Sequence, residues 1–238
     1  MGGPNVQQEE CQMRQNPWVS EVVYALEDQG SPTDAIAMSA YMKNRFRFLG
    51  IKKPRLKELT KALFEKNALP SPEDIPRCIQ ELWMLEEREY HMVALELLRK
   101  WEKKLTPKDL EWIQPLILEH SWWDSVDFIA THAIGVLREK YPETMTPILD
   151  TWILDDHLWI NRSAIICQVL YRKKTDTDLL ERAILPHRSS REFFLRKAIG
   201  WALRAYAQEN PRWVLGFVDA HREELSGLSI REALKHFS

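Results

Sequence analysis

Two tryptophans and two aspartates fall together in Ser121-Trp122-Trp123-Asp124-Ser125-Val126-Asp127. Trp123 and Asp127 are four apart, so on a helix they share a face, one turn above the other. An indole face beside a carboxylate suits a cation, because the ring quadrupole and the anionic oxygens attract positive charge together. Trp122 belongs instead to the apolar stripe Trp122, Val126, Ile129, Ala130, Ala133 and Leu137, which has helical period. Trp123 is expected to be at least partly exposed beside its carboxylate. The bland reading is packing under a neighbouring helix, since large aromatics are seldom left bare.

A similar arrangement recurs in Glu192 to Gln208. The stripe there is Phe194, Leu195, Ala198, Ile199, Ala202 and Tyr206, and Trp201 lies at its margin beside Lys197 and Arg204. A tryptophan between two cations suits a phosphate and its sugar, and the alternative is cation–π packing that only stabilises the surface. Recurrence in two stretches favours function. A third patch, Tyr41 to Lys57, interleaves aromatic and basic residues and ends at a helix opening on Pro54, with Lys52 and Lys53 just before it. Free N–H groups and the positive dipole end make such a start a ready anion site.

The elements that must carry these groups read as almost wholly α-helical. Only 8 glycines occur in 238 residues, and good helix formers dominate the 29% of charged positions. Helices are predicted over 18–29, 33–45, 54–65, 72–84, 87–103, 107–118, 122–140, 143–153, 158–171, 177–184, 192–208, 211–220 and 229–236, with short polar or proline-marked breaks. Ser71 and Thr106, each just before a proline, are predicted to offer capping hydroxyls. Stretches beginning at Ala94, Ala133 and Ala198 share a small start, leucine, arginine and a terminal aromatic; Ala164 opens a looser copy. Their spacing fits helical-pair repeats that stack into a curved solenoid with a concave surface. Residues 18–238 are read as one domain, and 1–17 as a disordered, polar tail.

Composition narrows the classes. At 45% hydrophobic the chain can bury a core, and its net charge of −2 says little about polyanions. Distribution says more: the basic clusters around Arg45, Arg47, Lys52, Lys53, Arg55, Lys57, Arg172, Lys173 and Arg191 read either as a local groove for a polyanion or as solvated helix faces. Cys11, Cys78 and Cys167 are scattered, which argues against a disulfide framework or a zinc site and fits a reducing cytoplasm. No apolar run is long enough to span a membrane, and the polar stretch from Met1 to Gln15 does not resemble a secretory signal. Neither the histidines nor any phosphate-loop, zinc-protease or hydrolase-elbow pattern points to a metal or cofactor.

Four stretches, Ser121–Asp127, Phe48-Leu-Gly-Ile-Lys-Lys-Pro54, Glu81-Leu-Trp83 with Glu87-Arg-Glu89, and Lys197-Ala-Ile-Gly-Trp-Ala-Leu-Arg204, together resemble the AlkD-like DNA alkylpurine glycosylases. The resemblance runs from about Ala37 to the C-terminus. It implies an α-solenoid of HEAT-like repeats holding duplex DNA in its concave groove. It also implies excision of cationic N3- and N7-alkylpurines in base excision repair by a cytoplasmic monomer, with no cofactor and no base-flipping pocket. By the same resemblance Asp127 is the catalytic carboxylate, Trp123 and Trp201 contact the sugar, and Arg162 and Tyr41 lie near the lesion. Ser189, Ser190, Lys197 and Arg204 fall at the DNA backbone. Lys57 and Lys52 depart from the family pattern, which favours arginine at the first and allows glutamine at the second.

The chemistry suits the residues. An N3- or N7-alkylated purine is already a cationic leaving group and needs no general acid. The sugar becomes oxocarbenium-like as the bond stretches, as in glycoside hydrolysis. An anionic Asp127 can stabilise that charge and orient water, and each indole face is worth about 0.5 to 2 kcal/mol. No lysine stands out for a Schiff base, so a monofunctional enzyme is expected. Two other readings remain: a catalytically silent repeat protein that binds unusual DNA, and a solenoid adaptor for a protein partner.

Overall fold

The computed structural model describes residues 15–66 and 69–237, and every regular element in them is helical. The expected tail up to residue 14, with Cys11, lies outside the described residues. Asn16 and Pro17 are already structured: Asn16 caps the first helix by accepting from Trp18 N at 2.9 Å, and its own N–H donates to Glu81 at 2.7 Å. The chain divides into two compact units, Met1–Tyr90 and His91–Ser238.

The first unit holds α1 (Pro17–Leu26), α2 (Pro32–Tyr41), α3 (Lys53–Lys66), α4 (Ile75–Trp83) and the start of α5 (Arg88–Trp101). Helix α2 has no buried residue, whereas α1 and α4 each bury an apolar face. Residues 72–74, predicted helical, form a turn in which Ser71 Oγ donates to Asp74 at 2.9 Å. Thr106 likewise donates, from N and Oγ1, to Asp109 Oδ2. The Thr106 side chain also accepts the Asp109 N–H, a capping box of the kind its hydroxyl was predicted to offer, whereas the Ser71 hydroxyl is turned to the ionised acceptor Asp74.

The second unit continues with α6 (Leu110–Leu118), α7 (Trp123–Ile129), α8 (Gly135–Lys140), α9 (Pro142–Ile153), α10 (Leu158–Ile166), α11 (Thr177–Ile184), α12 (Phe193–Ala207), α13 (Pro211–Ala220) and α14 (Gly227–Ala233). Helix α10 is buried all round and packs against α7, α9 and α12. A helix in that position needs its polar groups satisfied internally. Asn161 does so by donating to the carbonyls of Trp152, Ile153 and Asp155, which closes the C-terminus of α9. The alanines that open the four repeat copies, Ala94, Ala133, Ala164 and Ala198, are all buried, as a stack of helical pairs requires.

The predicted helix over 122–140 is not uniform. Its winding widens to a π-helix at Ala130–Ile134, and Gly135 N–H bonds to Ala130 O across the wider turn. Gly135 then sits where a Cβ would lie 2.6 Å from the Cys167 carbonyl. Only a bare backbone permits that approach. Val126, Ile129, Ala130, Ala133 and Leu137 of the predicted stripe are fully buried, and large aliphatic ones contribute about 1.5 to 3 kcal/mol each.

Candidate active site

The segment around Trp123 is built by local bonding. Ser121 Oγ donates to Ile117 O and Leu118 O and so ends α6, while His120 takes a positive φ of 50° to turn the chain. Trp122 is extended, as the residue before α7, and half-buried rather than inside the helix. Its ring packs edge-on against Phe194 at 5.1 Å and tilted against Trp159 at 5.9 Å. Trp123 opens α7 and is half-buried, one turn before Asp127.

Asp127 is held from one side by Arg162 of α10. Arg162 Nε donates to Oδ1 at 2.7 Å and Nη2 to Oδ2 at 2.8 Å, a side-on bidentate pair. The remaining nitrogen, Nη1, donates to the Phe194 carbonyl at 2.5 Å in the first turn of α12. Side-chain exposure is 6% for Arg162 and 19% for Asp127, so the carboxylate keeps a window that the guanidinium lacks. Burial pushes the Asp127 carboxyl above the usual aspartate range; Arg162 pulls it back down, and Asp124 adds a smaller upward push. Thr131 Oγ1 donates to the Asp127 carbonyl at 2.8 Å and fixes the backbone beneath it.

Arg162 therefore ties α7 to α12, the helix that carries Trp201. Phe194 and Trp201 are seven apart on α12, so they share a face about 10 Å apart along the axis. Trp201 is half-buried and lines a cavity of about 220 Å³ with Val169, Leu170, Arg172, Arg204, Ala205 and Gln208. Among the described residues no hydrogen bond or ring contact joins Trp123 or Trp201 to Asp127. Arg172, Lys173, Ser189 and Arg191 are exposed, and Ser190 accepts from Glu192 N in the turn before α12. Lys197 and Arg204 both pair with Glu232.

In the first unit Tyr41 is 71% exposed at the end of α2. Arg45, Lys53 and Lys57 are exposed, while Arg47 pairs with Glu86 and Glu87, Lys52 with Asp34, and Arg55 with Glu58. The amides of Leu49, Gly50 and Ile51, just before α3, all donate to buried Glu89 at 2.9 to 3.0 Å. The arginine beside it, Arg88, lies 4.0 Å over the Phe46 ring. The stretches 48–54 and 87–89 are thus two halves of one clasp.

Sequence reasoning missed the Phe194 carbonyl, which has no side-chain signal. It also missed Thr131, whose place four residues after Asp127 is a legible back-bonding position. No group of three or more His, Cys, Asp or Glu among the described residues could hold a metal ion.

Fold and site together define an all-helical protein with a partly screened carboxylate between packed helices. The chain belongs to the DNA alkylation repair enzyme family, whose model matches residues 22–237. A predicted DNA alkylation repair enzyme from Enterococcus faecalis is 32% identical, with a TM-score of 0.81 over 90% of this chain and 99% of that one. The Pseudomonas fluorescens alkylpurine DNA glycosylase AlkC, solved bound to DNA containing an abasic site analog, is 11% identical. Its TM-score of 0.52, over 92% of this chain and 61% of that one, is a likeness of fold. No curated protein gives a significant match.

Proposed function

We propose that the protein is a monofunctional DNA glycosylase that hydrolyses the N-glycosidic bond of cationic N3- and N7-alkylpurines in duplex DNA. The observation that carries this reading is Asp127, a partly screened carboxylate oriented by Arg162 and one turn from Trp123. As the C1′–N bond breaks, its electron pair leaves with the purine, which departs neutral. Asp127 stabilises the positive charge left on the sugar, in a setting where desolvation strengthens the attraction. Water oxygen forms the new bond to C1′, and its proton passes to Asp127 and then to solvent. Trp123 and Trp201 lend indole faces to the sugar cation. Arg162 orients the carboxylate and holds α12 through the Phe194 carbonyl.

A second reading, a silent binder of unusual DNA, is favoured by one feature: both Asp127 oxygens are already bonded by Arg162. The deciding measurement uses a duplex carrying one N7-methylguanine, scored for abasic sites by alkaline cleavage. The wild type is expected to release the base, and Asp127→Asn to slow single-turnover release by about 10²- to 10³-fold while still binding the duplex. An Asn variant as fast as wild type removes Asp127 from the chemistry, and an inert wild type favours the silent binder.

A further inference from the structure

Lys197 and Arg204 lie about one turn to either side of Trp201 on α12, and both reach one carboxylate. Lys197 Nζ is 2.8 Å from Glu232 Oε1, and Arg204 Nη1 donates to Glu232 Oε2 and, at 3.4 Å, to the Glu232 carbonyl. Glu232 belongs to α14, whose backbone is seated hard against α12: a Cβ on Gly200 would lie 2.4 Å from Glu232 Cβ and 3.0 Å from the Ser229 carbonyl. The carboxylate is therefore delivered by a packed helix rather than by a swinging loop. Side-chain exposures of 37% for Lys197, 23% for Arg204 and 20% for Glu232 leave the cluster at the surface, within reach of a polyanion. Lys197, aided by Arg204 and opposed by burial, holds the Glu232 carboxyl below the usual glutamate value, so it is ionised throughout the neutral range.

We propose that Glu232 is an internal competitor for the DNA backbone: it holds Lys197 and Arg204 in place beside Trp201 and limits how strongly they grip a phosphate. The proposal rests on the reading of this face as a duplex-binding surface. Two unopposed cations next to an indole would bind any duplex, damaged or not, and each phosphate contact they made would release counterions. A carboxylate shared between them cancels half of that local charge. A phosphate must then displace Glu232 or share its partners, and a hold of this kind is easily released from undamaged DNA.

The test is a salt titration of binding to an undamaged duplex by wild type, Glu232→Gln, Glu232→Asp and Glu111→Gln. The last makes the same change of formal charge on an exposed residue of α6. Glu232→Gln is expected to bind more tightly, and the slope of log K against log salt to steepen by about 0.9 for each cation freed. Its advantage should therefore grow about threefold per cation between 200 and 50 mM salt. Glu232→Asp, which keeps the charge, should follow the wild type. The proposal is overturned if Glu232→Gln gains no more than Glu111→Gln, or if it binds more weakly with a normal melting temperature. A wild type with no salt-sensitive hold on duplex overturns the underlying reading of the surface, and the proposal with it.

Discussion

Asp127 is a carboxylate pulled in opposite directions, with burial outweighing the side-on guanidinium. Its folded-state pKa lies above the ordinary aspartate value, so folding favours the protonated form. That contribution to stability is complete below the ordinary value and is lost as pH rises through the raised one. Activity runs the other way, because only the ionised form can face a sugar cation. Single-turnover release, corrected for uncatalysed loss, is expected to fall on the acid side with a midpoint above that of an ordinary aspartate. Arg162→Gln should move the midpoint further up, since the group that opposes burial is gone. A wild-type midpoint at the ordinary value contradicts the burial, and an unmoved variant contradicts the pairing.

At the scale of elements, most helices were legible because their apolar stripes follow the helical period, as in α7, where Val126 and Ile129 are buried. The π-turn at 130–134 was not, because a wider turn leaves no mark in residue type; it is set by what Gly135 must fit against. Residue spacing brought out Trp123 and Asp127. Arg162 came only from the resemblance, since in Leu-Trp-Ile-Asn-Arg-Ser-Ala-Ile-Ile it reads as an ordinary polar interruption. Its role depends on two helices distant in sequence, which no local pattern encodes. Gly135→Ala brings a methyl group to 2.6 Å from the Cys167 carbonyl, in the stretch that follows α10. It is expected to lower stability by about 1 to 3 kcal/mol, read as a lower melting temperature. Base release should slow more than duplex binding weakens, because α10 also carries Arg162. A variant with unchanged melting would show that the close approach costs nothing.

For the whole molecule, 33 basic residues stand against 35 acidic ones, so net charge offers no attraction to a polyanion. Within each unit, cations expected at DNA are partly matched by acids: Arg47, Lys52 and Arg55 in the first, Lys197 and Arg204 in the second. Affinity must then come from a limited set of local contacts rather than from a broad field. Wild-type binding to duplex is expected to weaken with salt along a straight log–log line, with a slope of about −0.9 per phosphate contacted. A flat line would favour the protein-adaptor reading. No helix among the described residues is long and apolar enough to cross a membrane.

The wide turn at Ala130–Ile134 amounts to one surplus residue wound into an otherwise regular rod. Deleting one residue there would turn the wide turn into an ordinary α turn and leave the helix faces upstream and downstream in nearly the same relation. Homologous chains that keep the chemistry can therefore differ by one residue between Asp127 and Gly135, with a regular helical turn where this chain has the wide one.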